Sequence, residues 1–223
     1  MHGPALAIAR KDLRIELRSK EVINAATSFA LVVLLLFSFT FDPSGEETRA
    51  ISGGLLWLVF TFAGILVLNR SFARETINDC LDALVASPAP GAAIFFGKAL
   101  ANTVFLLVLE LITLPVFWIF YNVRWGVNLG WLLLVLLLGT WGFTVIGTMF
   151  SALTVNVRLR EIMLPVLVFP ITIPALMAAV QLTGVLFAGE PVATEMVWLR
   201  LLIGFDVIFT ALAATLVEFV LVA

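Results

Sequence analysis

The apolar residues of this chain fall into six long runs, which short polar stretches separate. The runs hold 18 to 26 residues each, and an α-helix of about 20 apolar residues crosses the hydrocarbon core of a bilayer. We therefore expect six membrane-spanning helices, at residues 22–41, 51–68, 99–121, 129–153, 162–187 and 197–221. The pattern predicts an all-α integral membrane protein. No repeat or long linker divides the chain, so we expect residues 1–223 to form a single transmembrane domain.

Composition supports a membrane protein and argues against several classes of function. The chain is 62% hydrophobic with a mean hydropathy of +1.13, which is too apolar for a soluble domain of this length. Its single cysteine, Cys80, cannot form an internal disulfide, and its single histidine, His2, cannot build a metal or bis-histidine haem site alone. We expect no metal site, no catalytic residue and no enzyme activity in this chain.

The basic residues indicate how the spans are oriented. An even number of spans puts both termini on one side, with the interval between spans two and three and the turn between spans four and five. Ten of the thirteen Lys and Arg residues lie on that side: Arg10, Lys11, Arg14, Arg18, Lys20, Arg70, Arg74, Lys98, Arg158 and Arg160. By the positive-inside rule, this side is cytoplasmic.

The first 21 residues have the pattern of an amphipathic helix at the membrane surface. Three leucines lie close together on a helical wheel and three arginines begin beside them: Leu6, Leu13, Leu17, Arg10, Arg14 and Arg18. The leucines would enter the acyl boundary and the arginines would meet anionic headgroups. A cleaved signal peptide is the alternative. It is disfavoured because the next apolar run is long and ends at Asp42-Pro43 instead of a small-residue cleavage site.

The longest polar interval, residues 70–98, predicts a second amphipathic helix over residues 72–86. One side carries an apolar stripe at helical spacing: Ile77, Cys80, Leu81, Leu84 and Val85. Another side is polar and mostly acidic: Glu75, Asn78, Asp79 and Asp82. The helix should end near Ser87-Pro88. Such a helix, between two spans, suits docking onto another protein.

The sequence after this helix, GAAIFFGKA, has only a superficial likeness to a phosphate-binding loop. Five residues instead of four separate Gly91 from Gly97, and Ala99 follows the lysine where Ser or Thr is required. We expect Lys98 to be a snorkelling anchor for the third span. If ATP drives this protein, another chain binds it.

Three acidic residues fall inside predicted spans: Glu110, Asp206 and, near the end of the last span, Glu218. Glu110 lies near the middle of the third span, where an ionisable group costs about 2.5–3.5 kcal/mol on insertion scales and marks a functional-site hypothesis. The alternative is a protonated or hydrogen-bonded side chain that fixes helix packing. Asp206 lies in the outer half of the sixth span, where it could reach water.

Prolines and glycines suggest particular roles for spans four and five. Pro165, Pro170 and Pro174 predict that the fifth span is bent or broken, since each removes a backbone donor. Small residues in the fourth span predict a helix-packing surface, with room for another subunit as one possibility. The glycines concerned are Gly139, Gly142 and Gly147.

Three stretches together resemble the CcmB family, the permease-like subunit of the cytochrome c maturation system. They are FARETINDCLDALVASPAP, LLGTWGFTVIGTMFSALT and LPVLVFPITIP. The strongest match is in the first stretch, at Phe72, Leu81, Asp82, Leu84 and Pro88. Many members carry Asp-Gly where this chain has Asn78-Asp79, which weakens transfer of individual contacts.

The resemblance implies an ABC-2-type permease in the bacterial inner membrane, with both termini cytoplasmic. It would pair with the ATPase CcmA and, with CcmC and CcmD, use ATP hydrolysis to release the haem-loaded chaperone CcmE. The 72–86 helix would then be the coupling helix, with Phe72 in the matching pattern. Leu81, Leu84 and Val85 would fill a cleft of the ATPase, and Glu75, Asp79 and Asp82 would meet its rim. ATP–Mg and haem would both be held by partners.

Two rival functions are also compatible with the sequence. One is a self-contained secondary transporter or channel that uses Glu110 for protons. The other is an ABC-2 permease for a lipid or a drug, which only its partners would distinguish from the CcmB interpretation.

Overall fold

The computed structural model describes residues 2–41, 46–73, 75, 89–121, 128–155 and 157–222. Helices account for nearly all of these residues, and no strand occurs among them. The α-helices are α1 (His2–Ser19), α2 (Glu21–Thr40), α3 (Glu46–Asn69), α4 (Gly91–Tyr121), α5 (Leu129–Leu153), α6 (Arg160–Ala188) and α7 (Met196–Val222). A short 3-10 helix, Val192–Glu195, precedes α7.

Six of these helices, α2 to α7, are long and apolar enough to cross a membrane, which confirms the expected six spans. Most helix ends agree with the expected spans within two residues. The exceptions are α3, which starts at Glu46, and α4, which starts at Gly91, eight residues before its expected span. The early start of α4 follows Pro90, whose carbonyl accepts the first helical hydrogen bonds from Ala93 and Ile94.

The surface helix α1 turns sharply into the first span. Lys20, between the two helices, has a φ of 53°, the only positive φ of a non-glycine residue in the described part of the chain. Beyond the turn, Oε1 of Glu16 accepts hydrogen bonds from the backbone N–H groups of Val22 (2.8 Å) and Ile23 (3.0 Å). A carboxylate at this position satisfies free donors at the start of α2 and complements its dipole.

The helix α1 also packs closely on the first turns of α4. Its buried face consists of Ala5, Ile8 and Ala9, while Leu6 and Leu17 are exposed. Gly97 of α4 makes this approach possible: a Cβ there would lie 2.7 Å from the carbonyl oxygen of Ala5. The exposed leucines and arginines leave a lipid-facing side, as expected of an interfacial helix.

In the bundle, α5 packs against α3, α4, α6 and α7. The three glycines that the sequence assigned to packing each face a neighbouring helix of this same chain. A side chain at Gly139 would overlap Trp57 of α3, one at Gly147 would overlap Leu68 of α3, and one at Gly142 would overlap Asp206 of α7. This surface of α5 is therefore occupied within the chain.

The helix α6 runs without interruption through Pro165, Pro170 and Pro174. The expectation that this span could be broken is therefore wrong, and a kink at the prolines stays a prediction. Proline is tolerated in a membrane helix when neighbouring groups compensate for the lost hydrogen bonds.

Candidate functional site

A buried lysine holds three parts of the chain together at the end of the bundle where α1 lies. Lys98 of α4 is 1% exposed. Its Nζ donates to Oε1 of Glu75 (2.7 Å), to the carbonyl oxygen of Ser71 (2.7 Å) and to Oδ2 of Asp12 (3.2 Å). We call the following group the Lys98 cluster: Lys11, Asp12, Ser71, Phe72, Glu75 and Lys98.

The cluster joins α1, the segment that follows α3, and α4. Lys11 of α1 donates to the same Glu75 oxygen at 3.0 Å and also pairs with Asp12 at 3.1 Å. Phe72 packs its ring 4.7 Å from Nζ of Lys98, a cation–π contact. Residues about sixty positions apart in the chain thus meet at one carboxylate.

Charge balance makes this burial possible. An isolated ammonium inside a protein carries a large desolvation cost, which close carboxylates and further hydrogen bonds offset. Here two ammonium groups, of Lys11 and Lys98, face two carboxylates, of Asp12 and Glu75.

The cluster shifts the pKa values of its members outside the spans. Burial by itself would raise the pKa of Glu75, but Lys98 and Lys11 outweigh it and lower that pKa below its usual 4.5. Burial would also lower the pKa of Lys11, yet Asp12 and Glu75 raise it above the usual 10.5. The cluster therefore stabilises the charged form of both groups at neutral pH.

A small cavity of about 50 Å³, lined by both polar and apolar side chains, adjoins the cluster. Asp12, Arg70, Ser71, Glu75 and Asn102 are among its lining residues. Oε2 of Glu75 has no hydrogen-bond partner within the described ranges. The volume is enough for an ordered water, and these polar side chains would be its hydrogen-bond partners.

The structure gives two of the predicted coupling residues an internal position. Phe72 is 1% exposed and Glu75 is 7% exposed, both against Lys98. In the described chain they pack inwards, so we no longer expect them to contact an ATPase directly. The other predicted coupling residues lie outside the described residues: Asp79, Leu81, Asp82, Leu84 and Val85.

Lys98 likewise differs from its expected role as a snorkelling anchor, because its ammonium is buried in an ion-pair cluster within the chain. Sequence reasoning missed its pairing with Asp12. The available signals were Gly97 beside the lysine and a lone aspartate within the basic N-terminal segment.

The intramembrane carboxylates lie elsewhere in the bundle. Glu110 of α4 is buried, and its Oε1 accepts a short hydrogen bond from Thr140 Oγ1 of α5. Its Oε2 has no hydrogen-bond partner within the described residues. This contact links two spans. Asp206 of α7 is also buried, beside Gly142 of α5.

No three His, Cys, Asp or Glu side chains come together as a metal site in the part of the chain that the structure describes. The polar side chains described above form ion pairs and hydrogen bonds that link helices to each other.

Six membrane-length helices, with a buried charge cluster at one end of the bundle, define a multi-pass α-helical membrane protein. The family model described as "CcmB protein" matches residues 4–221, and the chain belongs to this family. It is thus a multi-pass protein of the bacterial inner membrane.

Curated relatives carry the name "Heme exporter protein B". The protein from Rhodobacter capsulatus is 33% identical over 176 residues, covering 79% of this chain and 80% of the relative. The protein from Pseudomonas aeruginosa is 29% identical over 219 residues, covering 98% of this chain and 94% of the relative. The Escherichia coli K12 protein is 30% identical over 173 residues, covering 77% and 78%.

Proposed function

We propose that this chain is the permease-like membrane subunit of an ABC-type complex for haem export and cytochrome c maturation. It couples ATP hydrolysis by a CcmA-like ATPase to the release of a haem-loaded CcmE-like chaperone from a CcmC-like subunit. Family membership and the name of its relatives support the haem-export part. The Lys98 cluster is the observation that carries the coupling part.

The segment after α3 is tied to two helices of the bundle. Through Glu75 and Ser71, Lys98 ties that segment to α4, and through Asp12 and Lys11 it ties the same segment to α1. Buried ion pairs resist separation because a lost partner leaves an uncompensated charge. A force applied to the 72–86 segment would therefore move α1 and α4 with it.

In this proposal the contact with the ATPase is made by Asp79, Leu81, Asp82, Leu84 and Val85. Phe72 and Glu75 are positioning residues that hold this segment to the bundle. The α1 end and both termini face the cytoplasm, as the basic residues indicate.

The chain itself is non-catalytic in this proposal. ATP–Mg belongs to the ATPase, haem belongs to the CcmC-like subunit or the chaperone, and a CcmD-like protein completes the membrane assembly. The sequence carries no Walker motif, which supports this division.

The test is a double charge reversal, Asp79→Lys with Asp82→Lys, in the tagged full chain. We expect the ATPase to be lost from the purified complex while the chain still inserts and folds. The matched control is Glu190→Lys, an exposed glutamate at the opposite end of the bundle. Unchanged copurification and unchanged ATPase activity in the double variant would refute the coupling role.

A second candidate function is proton-coupled transport by the isolated chain, and one observation favours it. Glu110 is buried at the middle of a span with one carboxyl oxygen unpartnered in the described residues, and such groups often mark proton relays. This candidate requires ion-coupled uptake in vesicles that contain no ATPase, with loss of uptake in Glu110→Gln. An ABC-2 permease for a lipid or drug would instead copurify with an ATPase but without a haem-handling subunit.

A further inference from the structure

A groove on the side of the bundle contains a carboxylate without a partner. It lies between α5 and α7 and is open laterally, where lipid or protein must cover it. Its lining residues include Trp141, Asp206, Thr210, Ala211 and Ala214. A second depression shares Phe96 and Trp141 with it and continues to Ala5 and Leu6 of α1. Together they form a track along the inner half of the bundle, which we call the Asp206 groove.

The buried carboxyl group is the unusual feature of this groove. Asp206 is 6% exposed, and neither carboxyl oxygen has a hydrogen-bond partner in the described part of the chain. The nearby indole does not supply a donor, because Trp141 Nε1 donates to Thr210 Oγ1 at 3.0 Å. A buried polar group without a partner carries a free-energy cost that a complementary donor would remove.

The depth of Asp206 limits what could supply that donor. It lies ten residues beyond the first residue of α7, about 15 Å along the helix at 1.5 Å per residue. That places it near the middle of a hydrocarbon core about 30 Å thick. Headgroups and bulk water are far from this depth, and acyl chains carry no donor.

A second copy of this chain fits the groove poorly. A two-fold contact would place the groove of one copy against the groove of the other. That groove has little to donate to Asp206, because Trp141 Nε1 already donates to Thr210 Oγ1 and the other lining residues apart from Asp206 are apolar. A different polypeptide fits better.

The small size of the lining residues also favours a helix of a different polypeptide as the occupant of the groove. The groove is lined in part by small side chains: Ala211 and Ala214 on α7, and Ala92 and Ala93 on α4. Small residues allow a neighbouring helix to approach closely in a membrane.

We propose that the Asp206 groove is the docking site for a transmembrane helix of a different subunit, and that this helix carries a side-chain N–H or O–H donor opposite Asp206. The groove shares no lining residue with the Lys98 cluster, and the proposal does not depend on ATPase coupling.

The test is site-specific photo-crosslinking in native membranes with the full chain. A photoreactive residue replaces Val207, which lines the groove and is 64% exposed. The matched control replaces Ile208, its neighbour on α7, which is 58% exposed and lies outside the groove lining. Mass spectrometry then identifies the crosslinked peptide.

We expect the Val207 probe to capture a transmembrane peptide of another chain with a Ser, Thr, Asn, Gln, Trp, Lys, Arg or His at mid-span. Ile208 should label mainly lipid. Asp206→Leu should reduce the protein adduct about three- to tenfold, the effect of one intramembrane hydrogen bond. Asp206→Asn should retain most of it, because an amide still accepts a hydrogen bond.

A further variant keeps the test decisive if Asp206→Leu folds poorly. Ala211→Phe leaves Asp206 intact, fills the groove from an exposed position and should abolish the adduct. The proposal is overturned if Val207 labels only lipid or a second copy of this chain. It is also overturned if the captured peptide has no donor, or if the adduct persists in Asp206→Leu and Ala211→Phe.

Discussion

Lys98 Nζ lies 2.7 Å from Glu75 Oε1, and this ion pair joins a membrane span to a segment outside the membrane. The two residues are 23 positions apart in the sequence, so only folding brings them into contact. The pair fixes the position of Glu75 against α4. For that reason it is the first target for mutation.

Replacing Lys98 with Ala should destabilise the chain by about 3–5 kcal/mol, because removal of one partner of a buried ion pair leaves buried carboxylates uncompensated. The measurement is thermal unfolding of the purified chain in mild detergent. Arg200→Ala, at an exposed position of α7, is the control and should change little. A Lys98→Ala variant as stable as the control would contradict the structural role of the cluster.

Acid should loosen the cluster. The pKa of Glu75 is lowered on folding because the nearby lysines outweigh the effect of burial. Such a carboxyl stabilises the folded state above its unfolded pKa, and this contribution is lost as pH falls below about 4.5 towards the folded pKa. The raised pKa of Lys11 adds no change here, since its contribution is fully present below 10.5.

The measurement for this pH dependence is the unfolding temperature between pH 7 and pH 3. Glu75→Gln removes the titrating group and should give a flatter curve than the unmodified chain. Parallel curves for the two proteins would show that Glu75 does not carry the acid sensitivity.

Gly97→Ala should displace α1 from α4. The added Cβ would lie 2.7 Å from a backbone oxygen of Ala5, which cannot move without its helix. Overpacking of this kind costs about 1–3 kcal/mol. Limited proteolysis within α1 reports the displacement, and cleavage should become faster.

Gly184→Ala is the matched control, because a Cβ at Gly184 meets nothing within 4 Å. Equal proteolysis of the two variants would mean that the close approach of α1 at Gly97 is not needed for docking.

Thr140→Val should cost about 0.5–2 kcal/mol, because it removes the donor to Glu110 inside the membrane. Thr215→Val is the control, since that exposed hydroxyl bonds only carbonyls of its own helix in the described chain. Thermal unfolding of both variants checks the prediction. A larger loss in the control would argue against a packing role for Glu110.

The six spans could be predicted because the length and hydropathy of each run suffice to define a membrane helix. The role of Lys98 could not, since a lysine near a span end has the same local pattern whether it snorkels or is buried. The distinction depends on Asp12 and Glu75, which only the folded chain brings to it. The role of Gly97 could not be predicted for the same reason. The sequence excluded a phosphate-binding loop, but the contact of Gly97 with Ala5 depends on how α1 docks.

Affinity purification of the tagged chain in mild detergent, with mass spectrometry of the proteins that accompany it, tests the proposed function most directly. We expect recovery of an ATPase with Walker motifs together with a CcmC-like haem-binding membrane protein. Recovery of neither, under conditions that preserve membrane complexes, would contradict it and favour the Glu110 transporter.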